Sequence, residues 1–218
     1  MKKLYGIGTG PGDKELLTLK AIRTMEEASI IFVPNNKGEN MALNTARDFI
    51  EGKEIIYIDL PMGSVTDNDY KNAAITIINN IADGESGAFL TIGDPMIYST
   101  FTYIMEELKD KEIEIEVVSG IPSFIAAAAS MKSPLTTKGD NFILCDDLEE
   151  EKIKGLQSVA ILKTLRNKEK TIKILEENNF KYKYIKRVSF SEEQIIENSQ
   201  DIIEDRDYIS LILARRDK

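Results

Sequence analysis

The 218-residue sequence contains no histidine, the side chain that most often serves as general base, proton shuttle or metal ligand near neutral pH. Serine-histidine hydrolysis and histidine-rich zinc chemistry are therefore excluded. There is one cysteine, Cys145, so no internal disulfide can form and no thiolate metal cluster can assemble. At the end of the run Asn141-Phe-Ile-Leu-Cys, it reads as a small buried apolar residue. No metal constellation is visible. No uninterrupted apolar run approaches the roughly 20 residues of a membrane span, and the opening MKKLYGIGTG lacks the apolar segment of a secretory signal. A cytoplasmic location is expected. Positive charge is also short: 28 Lys and Arg against 37 Asp and Glu give a net charge of −9. Non-specific nucleic-acid binding needs a basic face, so no nucleic-acid partner is expected. One local exception gathers Lys163, Arg166, Lys168, Lys170, Lys173, Lys181, Lys183, Lys186 and Arg187. It reads as solvated surface, with contact to an anionic substrate as the alternative.

What is present is ordinary globular material, 42% hydrophobic and 30% charged, long enough for one large domain or two of about 100 residues. Apolar runs rich in β-branched residues alternate with helix-period segments through the first 130 residues. This alternation predicts βαβ units and a mostly parallel sheet. Strands are expected at 3–8, 29–34, 54–59, 87–93 and 113–119, with helices near 14–27, 41–51, 69–82, 98–110 and 122–131. Asp67 or Asn68 is the expected start signal of the third helix, and Ser123 that of the alanine-rich fifth. A polar break with Pro134 and Gly139 interrupts the pattern at 131–140. A second αβ unit follows, with apolar runs at 141–145, 158–165, 182–190 and 208–214 and a helix over 167–179. Two α/β domains, 1–136 and 137–218, form the simplest architecture, with a cleft between them as the default site.

Four alternate glycines, Gly6, Gly8, Gly10 and Gly12, follow the first apolar residues. They suggest a dinucleotide loop, but the third glycine of the G-x-G-x-x-G fingerprint falls on Pro11. Proline offers no amide to a pyrophosphate. The next apolar run ends in Pro34 and Asn35 and supplies no acidic residue for a ribose. The turn serves something else. Two further loops fall at strand carboxyl ends, where open parallel sheets gather ligands: Gly93-Asp94-Pro95-Met-Ile-Tyr-Ser-Thr and Ser119-Gly-Ile-Pro-Ser-Phe. Each alone is compatible with a plain strand-to-helix turn.

Together, in this order, GIGTGPGDKELLTLKA, LTIGDPMIYST and VSGIPSF resemble the tetrapyrrole (corrin and porphyrin) methylase family over nearly the whole chain. Within it, the segments from Leu60 to Tyr70 and from Gly93 to Ile104 are most similar to the branch acting at C20 of precorrin-2 or its cobalt form, cobalt-factor II. The resemblance implies a mixed C-terminal sheet, a homodimer, and S-adenosylmethionine held in the cleft as methyl donor. Carried over by position, donor contacts fall on Pro11, Ile92, Gly93, Asp94, Ile97, Pro122 and Ser123, and in the second domain on Lys163, Val188, Ile209 and Ser210. Tyr98, Ser99 and Thr100 reach donor or substrate, or else form a helix N-cap with a buried tyrosine. Lys163 and Thr164 stand where other branches have methionine and glycine.

The implied chemistry suits a chain without histidine, because alignment of carbon, methyl and sulfur carries most of it. No catalytic residue stands out, and the C20 proton is left to water or a nearby carboxylate. Arg23, Lys37, Lys163 and Arg187 are the candidates for holding substrate carboxylates. Replacing Asp94 with alanine is expected to lower donor affinity much more than folding stability. Open alternatives are another corrin position, a macromolecular acceptor such as a modified histidine of a translation factor or ribosomal RNA, and a donor-binding protein without turnover.

Overall fold

The computed structural model describes residues 1–35, 40–60 and 65–216. The chain forms two compact units, Met1–Pro122 and Ser123–Lys218. Lys37 and part of the segment from Leu60 to Tyr70, residues 61–64, lie outside the described residues. The polar break at 131–140 follows the first helix of the second unit.

The first unit is built on a five-stranded sheet of β1 (Lys2–Gly8), β2 (Ile30–Pro34), β3 (Glu54–Ile58), β4 (Ser86–Thr91) and β5 (Ile113–Val118). Their order is β3-β2-β4-β1-β5, and every neighbouring pair is parallel. The apolar runs explain the placement: β2 and β4 are buried nearly throughout, as strands covered on both faces must be. The pleat sorts their side chains. Leu4, Phe32 and Phe89 pack on one face with Ile77 and Phe101, while Ile7, Ile31, Val33 and Leu90 pack on the other with Ala21 and Met25. Helices α1 (Leu19–Glu27) and α2 (Met41–Ala46) cover the second face, and α3 (Asp67–Asn80) and α4 (Phe101–Leu108) the first. Adjacent β1 and β4 thus send their chains to opposite faces of the sheet. A crevice for ligands opens where neighbouring strands diverge in this way.

The expected helix over 14–27 divides into a 3-10 turn, Lys14–Leu16, and α1. Thr18 starts α1 by accepting the Ala21 amide at 3.1 Å. The N-cap of α3 is Thr66 rather than Asp67 or Asn68; its own amide is held by Asp69 at 2.7 Å, so the acidic signal lies inside the first turn. Helix α4 begins at Phe101, three residues after the expected start at 98, because the preceding stretch is an ordered loop.

The second unit carries α5 (Ser123–Ser130) and a mixed sheet of β6 (Phe142–Cys145), β7 (Ser158–Leu162), β8 (Lys181–Lys186), β9 (Gln194–Ile196) and β10 (Ser210–Arg215), in the order β6-β7-β10-β8-β9. Only β6 and β7 pair in parallel. Helices α6 (Lys168–Glu177) and α7 (Ser199–Glu204) complete it, and Cys145 joins Ile161, Leu175, Tyr184, Ile202 and Ile212 in the core. Strand β8 stops at Lys186, short of the expected 190, because Arg187 and Ser189 take left-handed backbone angles of φ 50° and 67°. The sequence pattern did not announce β9 and α7, which are short, polar elements.

Candidate functional site

Three loops meet at the carboxyl ends of β1, β4 and β5. Their meeting is backbone against backbone. A Cβ placed on Gly8 would lie 2.5 Å from the Gly93 carbonyl oxygen and 2.6 Å from the Gly120 nitrogen, and one on Gly120 would lie 2.1 Å from the same oxygen. No side chain fits at either position. Gly10 and Gly93 exchange both hydrogen bonds, with the Gly93 amide on the Gly10 carbonyl at 2.7 Å and the reverse at 3.2 Å. Both residues have φ +72°, a region closed to most side-chain-bearing residues. Pro11 follows directly and is buried. The misfit of the dinucleotide fingerprint is therefore a tightly packed loop junction.

Asp94 fastens this junction. Its Oδ2 accepts the Gly120 amide at 3.0 Å and its Oδ1 the Met96 amide at 2.8 Å. The carboxylate thus works on its own chain, joining the loop after β4 to the loop after β5. Beside it, Thr9, buried behind the turn, donates its hydroxyl to the Thr91 carbonyl at 3.1 Å. Thr91 Oγ1 lies 3.1 Å from the buried Ser99 Oγ, which accepts the Phe101 amide at 3.1 Å. Ser99 is the cap of α4 in function. Its neighbour Tyr98 is 43% exposed with φ +46°, not the buried tyrosine that the N-cap reading requires. Thr100 is half-buried and makes no capping bond with its side chain. Ile92 is exposed, Ile97 and Pro122 are half-buried, and Pro122 Cα lies 3.9 Å from the Cβ position of Gly93. Pro11, Ile92, Gly93, Asp94, Ile97 and Pro122 therefore share one end of the first sheet.

The second-unit residues gather at one end of their own sheet. Lys163 follows β7, Val188 follows β8, and Ile209 and Ser210 stand at the start of β10; antiparallel pairing of β10 with both strands brings these ends together. Asp207 organises the group. Its Oδ1 accepts the Ile209 amide at 2.9 Å, its Oδ2 accepts Arg187 Nε at 2.7 Å, and its carbonyl accepts the Ser210 hydroxyl at 2.9 Å. Ser210 Oγ also lies 2.9 Å from the buried Thr164 Oγ1. Lys163 is exposed and left-handed, with φ 55°, while Val188 is buried. Ser123 opens α5 in the same unit.

The basic run is largely spent on internal pairing. Lys186 meets Asp205 at 2.6 Å, Lys183 meets Glu197 at 2.6 Å, and buried Lys168 donates to the Asp205 carbonyl at 2.7 Å. Arg187, expected to hold substrate carboxylates, has its Nε committed to Asp207. Arg23 is exposed on α1 and its Nε reaches the Leu19 carbonyl of its own helix at 3.4 Å. A hollow of about 880 Å³ on the second unit, lined by Pro134, Lys181, Tyr182, Leu213 and Arg215 among others, holds none of the expected site residues. No helix among the described residues is long and apolar enough to cross a membrane. No group of three or more His, Cys, Asp or Glu among them could hold a metal.

Sequence reasoning singled out the glycines, Asp94 and Ser210, but not Met96, half exposed on the loop after β4 with its amide on Asp94, nor Asp207, which binds Ile209 and Arg187. The alternation of Asp205, Asp207 and Ile209 is the signal for the second, since an aspartate that bonds an amide two residues on makes an Asx turn. Nothing short of the loop's conformation marks the first.

Comparison with known proteins follows this geometry. The family Tetrapyrrole (Corrin/Porphyrin) Methylases matches residues 3–202. A probable cobalt-precorrin-2 C(20)-methyltransferase of Methanocaldococcus jannaschii is 35% identical, with 100% of this chain and 98% of that protein aligned. A cobalt-precorrin-2 C(20)-methyltransferase of Salmonella typhimurium is 31% identical over 71% of this chain and 68% of its own length. Among solved structures, a uroporphyrin-III C-methyltransferase from Thermus thermophilus in complex with S-adenosylhomocysteine superposes with a TM-score of 0.74 at 20% identity, covering 98% of this chain and 97% of that one. The chain belongs to the tetrapyrrole (corrin/porphyrin) methylases.

Proposed function

We propose that this protein transfers a methyl group from S-adenosylmethionine to C20 of a precorrin-2-type tetrapyrrole, in its cobalt-containing form (cobalt-factor II), within cobalamin biosynthesis. The observation that carries the reading is the full-length similarity to a probable cobalt-precorrin-2 C(20)-methyltransferase. The loop junction after β1, β4 and β5 is where we place the donor in the first unit.

The residues there suit such a ligand. The junction combines the left-handed backbone of Gly10 and Gly93 with exposed Ile92 and half-buried Ile97, a pairing of backbone polar groups with apolar side chains that small-molecule sites share. Pro11, Ile92, Gly93, Ile97 and Pro122 would hold the donor, with Asp94 keeping the loops in register. When bound, the sulfonium would supply a methyl group whose carbon-sulfur bond breaks as the bond to C20 forms, leaving S-adenosylhomocysteine, and the C20 proton would pass to water or a nearby carboxylate. What the chain contributes is alignment. A loop junction with no room for a methyl group on Gly8 or Gly120 favours such alignment, an effect of about 7 to 11 kcal/mol in the best intramolecular cases. Ser123, Lys163, Val188, Ile209 and Ser210 form a separate set of candidate contacts on the second unit. Cytoplasmic location and a homodimer complete the proposal; sedimentation of the purified protein tests the dimer.

The deciding experiment incubates the protein with isotopically labelled S-adenosylmethionine and either cobalt-factor II or metal-free precorrin-2. The expected outcome is a singly methylated product, labelled at C20 by NMR, formed faster from the cobalt substrate. Label at another ring position, or no tetrapyrrole product from either form, would overturn the reading.

A further inference from the structure

Lys168 stands where α6 calls for an apolar residue. With Thr171, Ile172 and Leu175 it lies on the buried stripe of the helix, at the i, i+3, i+4, i+7 spacing of a core-facing side. It is 4% exposed, and no other charged side chain among the described residues is buried as deeply. Two physical effects oppose it. A buried ammonium forfeits its hydration, and the first turn of a helix disfavours positive charge. Its contacts are nonetheless specific: Nζ lies over the Tyr184 ring, 4.8 Å from the centre, and donates to the Asp205 carbonyl at 2.7 Å. Exposed Arg206 shares that carbonyl at 3.0 Å, so Lys168 is not needed merely to satisfy it.

Asp205 caps the end of α7, and from it a continuous chain of hydrogen bonds runs to the start of β10. Its carboxylate, held by Lys186 and by the Tyr184 hydroxyl at 2.6 Å each, accepts the Asp207 amide at 2.8 Å. Asp207 in turn accepts the Ile209 amide and the Ser210 hydroxyl, both at 2.9 Å. Lys168 and Lys186 therefore hold Asp205 by backbone and by side chain. Resting on the reading that puts the methyl donor against Ile209 and Ser210, we infer that Lys168 is a positioning residue for that donor. Anchored in the core, it fixes the turn from Asp205 to Ile209 and with it the two residues offered to the ligand. A role in stability alone conflicts with its place, because an apolar side chain of the same length would fill the stripe without burying a charge.

Lys168→Met makes that replacement. Lys186 and Tyr184 still hold the Asp205 carboxylate, no charge is left unpaired, and the melting temperature should hold or rise. S-adenosylhomocysteine affinity, measured by calorimetry, should nevertheless fall about tenfold, and the Ile209 amide should exchange its hydrogen faster by NMR. Lys168→Arg returns a cation to the site and should recover part of both. Affinity within about twofold of wild type in Lys168→Met overturns the inference, and so does weakened affinity with unchanged exchange at Ile209. Binding is read without turnover, so a wild-type protein that binds S-adenosylhomocysteine but methylates the tetrapyrrole elsewhere refutes the C20 reading and leaves this inference standing. A wild-type protein that does not bind S-adenosylhomocysteine overturns both.

Discussion

Asp94 Oδ2 accepts the Gly120 amide at 3.0 Å, tying the loop after β4 to the loop after β5. The other carboxylate oxygen holds Met96, so the side chain acts first as a fastener. Alanine at this position removes both bonds and releases two amides at once. A hydrogen bond to a charged group contributes about 1.5–3 kcal/mol. Asp94→Ala should therefore lose folding stability and donor affinity together, rather than affinity much more than stability as the sequence suggests. Asp94→Asn can accept from only one of the two amides and should fall between. Urea unfolding alongside S-adenosylhomocysteine titration checks this; full stability with lost affinity in Asp94→Ala would return the carboxylate to direct donor contact.

The glycines differ sharply in what they tolerate. At Gly120 an added methyl would sit 2.1 Å from the Gly93 carbonyl oxygen and 2.8 Å from Gly8, all of it backbone. Relief requires the loops to part. At Gly84, φ +83°, nothing lies within 4 Å, so only the backbone angle is strained. Gly84→Ala should cost about 1 kcal/mol, and Gly120→Ala about 3 kcal/mol or more, since overpacking against rigid backbone lies at the high end of such penalties. Donor binding should survive the first and fail in the second. Comparable losses in both, by chemical denaturation, would mean that the junction yields.

The contrast explains what could be read in the sequence. Strands buried on both faces, such as Ile30–Pro34 and Ser86–Thr91, are written as continuous apolar runs, and the parallel sheet follows from their spacing. The loops were recognisable because glycine and proline punctuate them. Direction was not legible: Asp94 reads equally as a ligand contact or a backbone acceptor, and only the fold shows both oxygens turned to amides. For Tyr98 the sequence left both a buried aromatic beside a helix start and a ligand-reaching residue open, because nothing local announces φ +46°. Strand Gln194–Ile196 and helix Ser199–Glu204 escaped because each buries too few apolar residues to leave a periodic trace.

Acid should expose a second fastener. Burial alone would raise the Asp205 carboxyl, but Lys186 at 2.6 Å, the Tyr184 hydroxyl at 2.6 Å and the Asp207 amide outweigh it and hold it at about 2. A folded value below the ordinary unfolded one of about 3.9 gives stabilisation that is fully present above pH ~4 and lost as pH falls through about 2. With partial solvent screening allowed for, the contribution is on the order of 1–2 kcal/mol. Glu116, held down to about 2 by Lys20 and Lys3, titrates in the same window, so the informative quantity is wild type minus Asp205→Asn. That difference should be largest near neutrality and shrink between pH 4 and 2 in thermal melts. A difference that stays constant across the window would assign Asp205 a steric role.

Asp207 offers the corresponding test on the second unit. Ile209 is held twice, its amide by Asp207 Oδ1 at 2.9 Å and its carbonyl by the Arg187 amide at 2.8 Å. The other carboxylate oxygen binds Arg187 Nε at 2.7 Å, so one aspartate fixes both the strand start and the arginine beside it. Asp207→Asn keeps an acceptor for Ile209 and loses the ion pair, which at a partly exposed site is worth about 1 kcal/mol or less. Asp207→Ala loses both and leaves the Ile209 amide without its partner, at about 1–3 kcal/mol. If Ile209 and Ser210 contact the methyl donor, KM for S-adenosylmethionine should rise about tenfold or more in Asp207→Ala and only a few-fold in Asp207→Asn, with kcat falling less than KM rises. A melting-temperature drop in Asp207→Ala without any change in KM for the donor would confine the cluster to folding and remove Ile209 and Ser210 from the site.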